Sequence, residues 1–564
     1  MERWTHKGRT LVLLATVLAN ASRPAGAAWA PHGMVAAEQA LASQAGVEIL
    51  KHGGNAVDAA VATAFAVCVV SPSSCGIGGG GFMLIYLARQ RRALALDYRE
   101  VAPAAASRDM FVRDGKAVPE LSLHGGLAVA VPGEVAGLSA ALQRHGTLPL
   151  ATVMQPAIRL ARDGFPIGAH LAKEIVQNLA GLRSNPALAR TFLHADGAPL
   201  VAGETLQQPE LAATLQHIAR DGPRAFYHGD MAARIVRSDR TAGGVLTESD
   251  LATYRPTWRA PLHATYDGDA VYAMPPPSSA GILLEVLGML RGDDLRALGR
   301  ESPAYLHVLA EAMKHAFADR AQLYGDPDAV AVPLQRLLSP QNTAALRQRI
   351  DTTRTQAQNT YGSSALGSAA AASDHGTSHL SVMDAHGNAV ACTTTINTGF
   401  GSLVVAEGTG IILNNEMDDF ATQPGAPNVY GLIGAEANAV APRKRPLSSM
   451  APIIVTHDDR PVLAVGGSGG PLILSGTLQV LLNILDFGLD ATTAVAAPRI
   501  HDQWVPPVLA VEPGVPAQAR AVLTSYGHTV KEVPTMGAIQ AVRTDAGVFE
   551  GTSDPRKGGE AVGW

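Results

Sequence analysis

The sequence predicts an α+β fold, a mixed α/β chain in which antiparallel sheets are flanked by helices, and three observations carry that prediction. Helical spacing dominates residues 133 to 321, whereas short alternating apolar runs dominate after residue 377. No segment repeats at a fixed period, which excludes solenoids and propellers. The chain has 564 residues, 47% hydrophobic against 16% charged, enough for two or three lobes or one large layered domain and too apolar for disorder. A net charge of -5 without a basic run argues against nucleic acid or anionic lipid and favours a small-molecule partner.

The N-terminus reads as an export signal. Arg3, Lys7 and Arg9 precede an apolar run from Leu11 to Ala19, and Ala25-Gly26-Ala27 supplies small residues for cleavage. The run falls short of the ~20 residues needed to span a bilayer, and no later stretch reaches that length. A signal peptide over 1–27 and a periplasmic or secreted protein without a membrane anchor are therefore expected. Its removal takes four basic residues and one acidic residue, leaving a charge of -8. Cys68, Cys75 and Cys392 show no metal spacing, and a core of this size does not need a disulfide.

Val35 to Leu50 has helical apolar spacing closed by Gly53-Gly54, and Asn55 caps a second, Ala-rich helix to about Val70. Phe82 to Leu87 and Ala93 to Tyr98 read as a strand pair. A long helical portion follows, interrupted by Pro275-Pro276-Pro277-Ser278-Ser279. Residues 352–376 form a Thr-, Gln-, Ser- and Ala-rich linker. Beyond it, Ser378 to Met383 and Ala389 to Thr395 make a hairpin around Asp384-Ala385-His386-Gly387-Asn388. Short strands at Gly410 to Leu413, Pro452 to Thr456, Val462 to Val465, Val530 to Val533 and Ala538 to Val542 alternate with helices at Leu472 to Asp486 and Ala517 to Ser525.

Thr377 stands where the linker ends and the hairpin begins. A threonine hydroxyl is a poor nucleophile within a chain, but cutting the bond before it creates an α-amino group that serves as its base. The position reads as a latent N-terminal nucleophile.

Other motifs compete for the chemistry. Gly76-Ile77-Gly78-Gly79-Gly80-Gly81 matches a dinucleotide fingerprint, but a helix precedes it and a strand follows, the reverse of the required order. Close backbone packing suits these glycines better. Gly466-Gly467-Ser468-Gly469-Gly470 matches G-x-S-x-G between a strand and a helix, with Asp490 and His528 downstream in triad order. The hairpins before it do not suit a serine hydrolase built on parallel βα units, so the loop is read first as an oxyanion site. His375 and His379 beside Thr377 lack zinc spacing and are given surface or packing roles. Of the adjacent Asp418 and Asp419, one can face a ligand while the other braces its loop.

Thr377-Ser378-His379, Asn397-Thr398-Gly399-Phe400-Gly401, Asn414 to Phe420, Arg445-Pro446-Leu447-Ser448-Ser449-Met450 and Asp554-Pro555-Arg556 resemble the gamma-glutamyltranspeptidases, or glutathione hydrolases. In the N-terminal half, Gly54 to Ala60, Gly78 to Met83, Asp97-Tyr98-Arg99-Glu100 and Val131-Pro132-Gly133-Glu134 agree in order.

The resemblance implies an N-terminal-nucleophile hydrolase with an αββα sandwich, self-cleaved between Gly376 and Thr377 into a largely helical large subunit, 28–376, and a sheet-rich small subunit, 377–564. The two remain a heterodimer. It implies no cofactor or metal, and as substrates glutathione and other γ-glutamyl compounds, with water, amino acids or dipeptides as acceptors. Thr377 is the implied nucleophile, Thr395 its hydrogen-bonding partner in maturation, and Gly469 and Gly470 the oxyanion hole. Arg99, Ser448 and Ser449 are implied at the substrate α-carboxylate, and Asn397, Glu416 and Asp419 around its α-ammonium. Residues 424 to 439, with Tyr430, resemble the lid of bacterial members. The family's usual Gly-Ser-Pro-Gly-Gly-Ser-Arg departs here to Gly466-Gly467-Ser468-Gly469-Gly470-Pro471-Leu472, and Ser378 stands where threonine is common. The readings left beside it are a cephalosporin (glutaryl) acylase-like amidase of the same superfamily, the serine hydrolase, and an uncleaved binding protein.

Overall fold

The computed structural model describes residues 27–362 and 376–564. Residues 1–26 of the expected signal peptide, 363–375 of the expected linker, and His375 within it lie outside the described residues. Among the described residues, fourteen strands build two large sheets. In chain order these are β1 (Ala28–Ala30), β2 (Gly33–Ala37), β3 (Gly80–Leu87), β4 (Arg92–Tyr98), β5 (Thr257–Arg259), β6 (Leu262–Tyr266), β7 (Asp269–Ala273), β8 (Thr377–Asp384), β9 (Ala389–Thr395), β10 (Ile453–His457), β11 (Arg460–Ser468), β12 (Ala538–Asp545), β13 (Val548–Ser553) and β14 (Glu560–Gly563). One sheet runs β1-β13-β12-β11-β10-β7-β6 and the other β14-β2-β8-β9-β3-β4-β5.

The sheets lie face to face, β8 and β9 against β11 and β12. Outside the second sheet pack α1 (Ala40–Lys51) and α2 (Ala56–Val70). Outside the first pack α3 (Gly281–Leu290), its neighbour α4 (Pro303–Leu323), and α5 (Leu472–Leu485). This is the four-layer αββα arrangement. The α2 helix is buried along its whole length, which its many alanines permit by letting backbones approach. It starts where expected: the Asn55 side chain accepts from the Val57 and Asp58 amides, and Asp58 accepts from the Asn55 amide in return.

Alternation along β8 decides what faces the site. Leu380 and Val382 pack toward α1 and α2, whereas Met383 packs between the sheets. By the same period Thr377 and His379 point between the sheets. The register pairs Thr377 with Thr395 and His379 with Thr393. In the second sheet the two central strands follow residue 376 in sequence, and β2 and β3 on either side precede it. A cut before Thr377 leaves this interleaved pairing in place.

Two expectations are corrected. Val35 to Leu50 is not one helix: β2 takes its first residues, buried throughout, and α1 starts only at Ala40. A short apolar run has no period long enough to separate strand from helix. The expected helical middle also contains β5, β6 and β7, which join the edges of both sheets. The glycines at 78 to 81 are packing glycines: a Cβ on Gly79 would meet the Thr395 carbonyl oxygen at 1.9 Å and one on Gly81 the Thr393 oxygen at 2.2 Å. The three cysteines are buried thiols.

Candidate active site

Thr377 opens β8 and is 4% exposed. Its Oγ1 lies 3.1 Å from Thr395 Oγ1. Thr395 Oγ1 donates to the Gly376 carbonyl at 2.7 Å and accepts from the Asn397 amide at 2.8 Å. A hydroxyl has one proton, and that of Thr395 is directed at Gly376, so Thr377 is the donor in the contact between them. The Gly376 carbonyl is thereby polarised by the hydroxyl that also accepts from Thr377. Gly376 has φ +63, and a Cβ there would meet the Asn397 carbonyl oxygen at 2.3 Å, so glycine is required on the acyl side of this bond.

The glycine loop lies at the end of β11. Gly469 and Gly470 have φ of 123 and 55, and neither amide donates to another described residue. Unsatisfied amides at a buried strand-to-helix turn are rare and suit a developing oxyanion. Tyr430 lies over this loop, since a Cβ on Gly470 would meet its ring at 2.7 Å. The Tyr430 hydroxyl donates to the Asn397 carbonyl at 2.7 Å, and Gln503 Nε2 donates to the Tyr430 carbonyl at 3.3 Å. Tyr430 is thus joined to the surroundings of Thr377.

Arg99 follows β4 and is fully buried. Its guanidinium bonds Glu416 and Asp419, lies 3.5 Å from Glu100, and donates through Nε to the Pro446 carbonyl at 3.2 Å. Burial acts against its charge, but Glu416, Asp419 and Glu100 outweigh this and hold its pKa above the ordinary value. Burial also raises the carboxylates: Glu100 to about 8 despite Arg99, and Glu416 and Asp419 upward with Arg99 again opposing. Burial favours the neutral forms of these carboxylates, and a cation placed beside them would favour their charged forms.

Asp418 and Asp419 lie on a 3-10 turn, Glu416–Asp419, instead of an extended segment, and Asp419 turns to Arg99 while Asp418 braces the loop. Asp418 accepts from Ser122 Oγ at 2.6 Å and from the Val429 amide at 3.1 Å, and burial raises it to about 6. Asn397 Nδ2 donates to the Asn415 carbonyl at 3.0 Å, beside Glu416. Ser448 Oγ accepts from the Met450 amide at 3.1 Å, and Ser449 Oγ accepts from Arg320 at 3.3 Å. Thr377, Thr395, Asn397 and Tyr430 are joined by these bonds, and Arg99, Glu416 and Asp419 by theirs, whereas Ser448 and Ser449 bond to Met450 and Arg320. Asn428, two residues before Tyr430, joins the first two groups through a 3.4 Å contact with Asp419.

The serine-hydrolase reading is overturned by geometry. Ser468 Oγ accepts from Lys557 Nζ at 2.8 Å, Asp490 caps the helix Ala491–Ala496, and His528 pairs with His307 at 2.7 Å. Ser468→Ala is expected to leave processing within about fivefold of the parent rate, the effect of losing one hydrogen bond. Densitometry of the two fragments over time checks this. His379 is a packing residue, bonded to Thr393 Oγ1 at 2.7 Å and Ser381 Oγ at 3.1 Å, and burial lowers it to about 3, so it is neutral. His307, Glu311 and His528 come within mutual ligating reach, a grouping with no sequence signal, but Lys314 already ion-pairs with Glu311 there.

Sequence reasoning missed Lys557 and Glu38. Lys557 Nζ donates to the Thr377 carbonyl at 3.0 Å and lies 3.4 Å from Glu38, which accepts from Ser378 Oγ at 3.2 Å. The motif Asp554-Pro555-Arg556 stops one residue short of this lysine, and nothing in the local sequence separates it from a surface lysine.

The sequence profile described as Gamma-glutamyltranspeptidase matches residues 42–564. A glutathione hydrolase proenzyme of Escherichia coli K12 is 43% identical over 530 residues, 93% of this chain and 91% of that protein. Among solved structures, a cephalosporin acylase from Bacillus halodurans superposes with TM-score 0.85 at 30% identity, covering 98% of this chain and 99% of the other. The Helicobacter pylori gamma-glutamyltranspeptidase gives 0.56 at 37% identity over 57% of this chain and 92% of the other.

Proposed function

The chain belongs to the gamma-glutamyltranspeptidase family, and on that premise we propose that it is a glutathione hydrolase and γ-glutamyltransferase made as an exported proenzyme, with Thr377 as both self-cleaving residue and nucleophile. The observation that carries this is the hydroxyl chain from Thr377 through Thr395 to the Gly376 carbonyl.

In maturation Thr377 Oγ1 attacks the Gly376 carbonyl carbon, and Thr395 stabilises the oxyanion. The C–N bond breaks as the nitrogen takes up the hydroxyl proton, leaving an ester. Water opens it, releasing the Gly376 carboxylate and freeing the Thr377 hydroxyl beside the α-amine that the C–N cleavage had already released. Thr395→Ala is expected to slow cleavage about 10²- to 10³-fold, the usual effect of removing one oxyanion donor. A time course of the two fragments on a denaturing gel measures it.

In turnover the α-amine, with an ordinary pKa of about 7.7–8.0, takes the hydroxyl proton as Oγ1 attacks the γ-carbonyl. The Lys557 ammonium on the Thr377 carbonyl disfavours a second positive charge nearby and helps keep that amine neutral. The oxyanion is received by the Gly469 and Gly470 amides, and the leaving amine takes the proton back. Water or an acceptor amine then attacks the glutamyl ester, with the α-amine again as base. Arg99 with Ser448 and Ser449 would hold the α-carboxylate, and the carboxylates at Glu416 and Asp419 would hold the α-ammonium beside Asn397.

The Bacillus halodurans neighbour, named a cephalosporin acylase, keeps a glutaryl reading in view. A glutaryl chain has no ammonium to meet the acceptors Glu416 and Asp419, so the γ-glutamyl reading is the better one. Release of 4-nitroaniline from its γ-glutamyl amide, with and without a dipeptide acceptor and beside a glutaryl amide, tests it. Preference for the glutaryl amide would overturn it.

A further inference from the structure

Arg320 lies in the last turn of α4 and is 4% exposed. Among the described residues no carboxylate comes within ion-pair distance of it, in contrast to Arg99. Its Nε donates to Ser279 Oγ at 2.8 Å and its Nη2 to Ser449 Oγ at 3.3 Å. Burial lowers its pKa to about 10, Asp419 partly opposing from a distance and Arg99 adding to the fall. The end of a helix is favourable to a cation, but a buried guanidinium bonded only to hydroxyls still lacks an anion.

The direction of each proton gives the charge a use. A guanidinium only donates, so Ser449 Oγ is the acceptor in its bond with Arg320 and keeps its own proton for another partner. Ser279 Oγ likewise accepts from Arg320 and donates onward to the Ser448 carbonyl at 2.6 Å, fixing the backbone of the serine pair. Ser448 Oγ accepts from the Met450 amide and also keeps its proton. Two adjacent hydroxyls are thereby set as donors, backed by an uncompensated positive charge.

We propose that Arg320 is a positioning residue for the donor's α-carboxylate, holding Ser449 as a hydroxyl donor and supplying the positive charge that Arg99, engaged by Glu100, Glu416 and Asp419, does not leave over. This rests on the γ-glutamyl reading of the site and assigns the carboxylate two cations of different kinds. Arg99 is balanced by carboxylates that also serve the ammonium, whereas Arg320 is balanced only when the substrate binds.

The test compares L-glutamate with 4-aminobutanoate, which lacks the α-carboxylate, as competitive inhibitors of γ-glutamyl-4-nitroanilide hydrolysis by the processed enzyme. In Arg320→Gln the Ki ratio of 4-aminobutanoate to glutamate is expected to fall about tenfold, with KM for the anilide rising by a similar factor and kcat changing much less. Arg320→Lys restores part of the ratio because it keeps the charge. If Arg320→Gln does not fold, Ser279→Ala loosens the guanidinium without removing it and is expected to lower the ratio about threefold. An unchanged ratio in folded variants, or a fall in kcat without a change in ratio, would overturn the role of Arg320. A parent enzyme that hydrolyses glutaryl amides and is insensitive to glutamate would overturn the underlying γ-glutamyl reading instead.

Discussion

Replacing Thr377 with alanine is expected to leave the chain in one piece and without amidase activity. The methyl side chain cannot attack the Gly376 carbonyl, and Thr395 then polarises a carbonyl that nothing approaches. Loss of turnover follows for two reasons, since both the hydroxyl and the freed α-amine are missing. A drop on the order of 10⁴-fold or more is expected, as when a nucleophile is removed from an acyl-transfer site. The fold should persist, because the Thr377 hydroxyl is one bond in a strand held on both sides by β2 and β9. A denaturing gel and a γ-glutamyl-4-nitroanilide assay on the same preparation check both expectations. Two fragments from the alanine variant would remove Thr377 from the cleavage step.

Arg99→Lys is expected to raise KM for γ-glutamyl substrates about 10- to 100-fold while changing kcat far less. Lysine keeps the charge that Glu100, Glu416 and Asp419 require, so the buried cluster is not left without a cation. What it loses is the planar fork, and one charge-assisted hydrogen bond is worth about 1.5–3 kcal/mol. Initial-rate measurements across a range of γ-glutamyl-4-nitroanilide concentrations separate the two parameters. An unchanged KM would take Arg99 out of the donor pocket.

The layered fold and the residues around Thr377 were legible for different reasons. The Ala389 to Thr395 strand and the Asn55 cap follow from local chemistry, alternation and a side chain that reaches its own helix amides. The candidate site residues stand out as motifs, each a short run with its own residue types. What could not be read is what topology brings together. Lys557 reaches Thr377 across 180 positions because β14 closes the sheet that contains β8, and Arg320 reaches Ser449 across 129 because α4 crosses behind the first sheet. Neither lysine nor arginine differs locally from a solvated side chain. The β2 strand was hidden for the opposite reason, since a fully buried short run carries no period.

Intact mass spectrometry of the purified protein, before and after brief exposure to a γ-glutamyl donor, tests the central claim most directly. Two fragments are expected, one beginning at Thr377 and ending at Trp564, and after exposure a fraction of that fragment should carry the mass of one glutamyl residue on its N-terminal threonine. A single uncut chain, or a glutamyl group found on Ser468 or elsewhere, would contradict it.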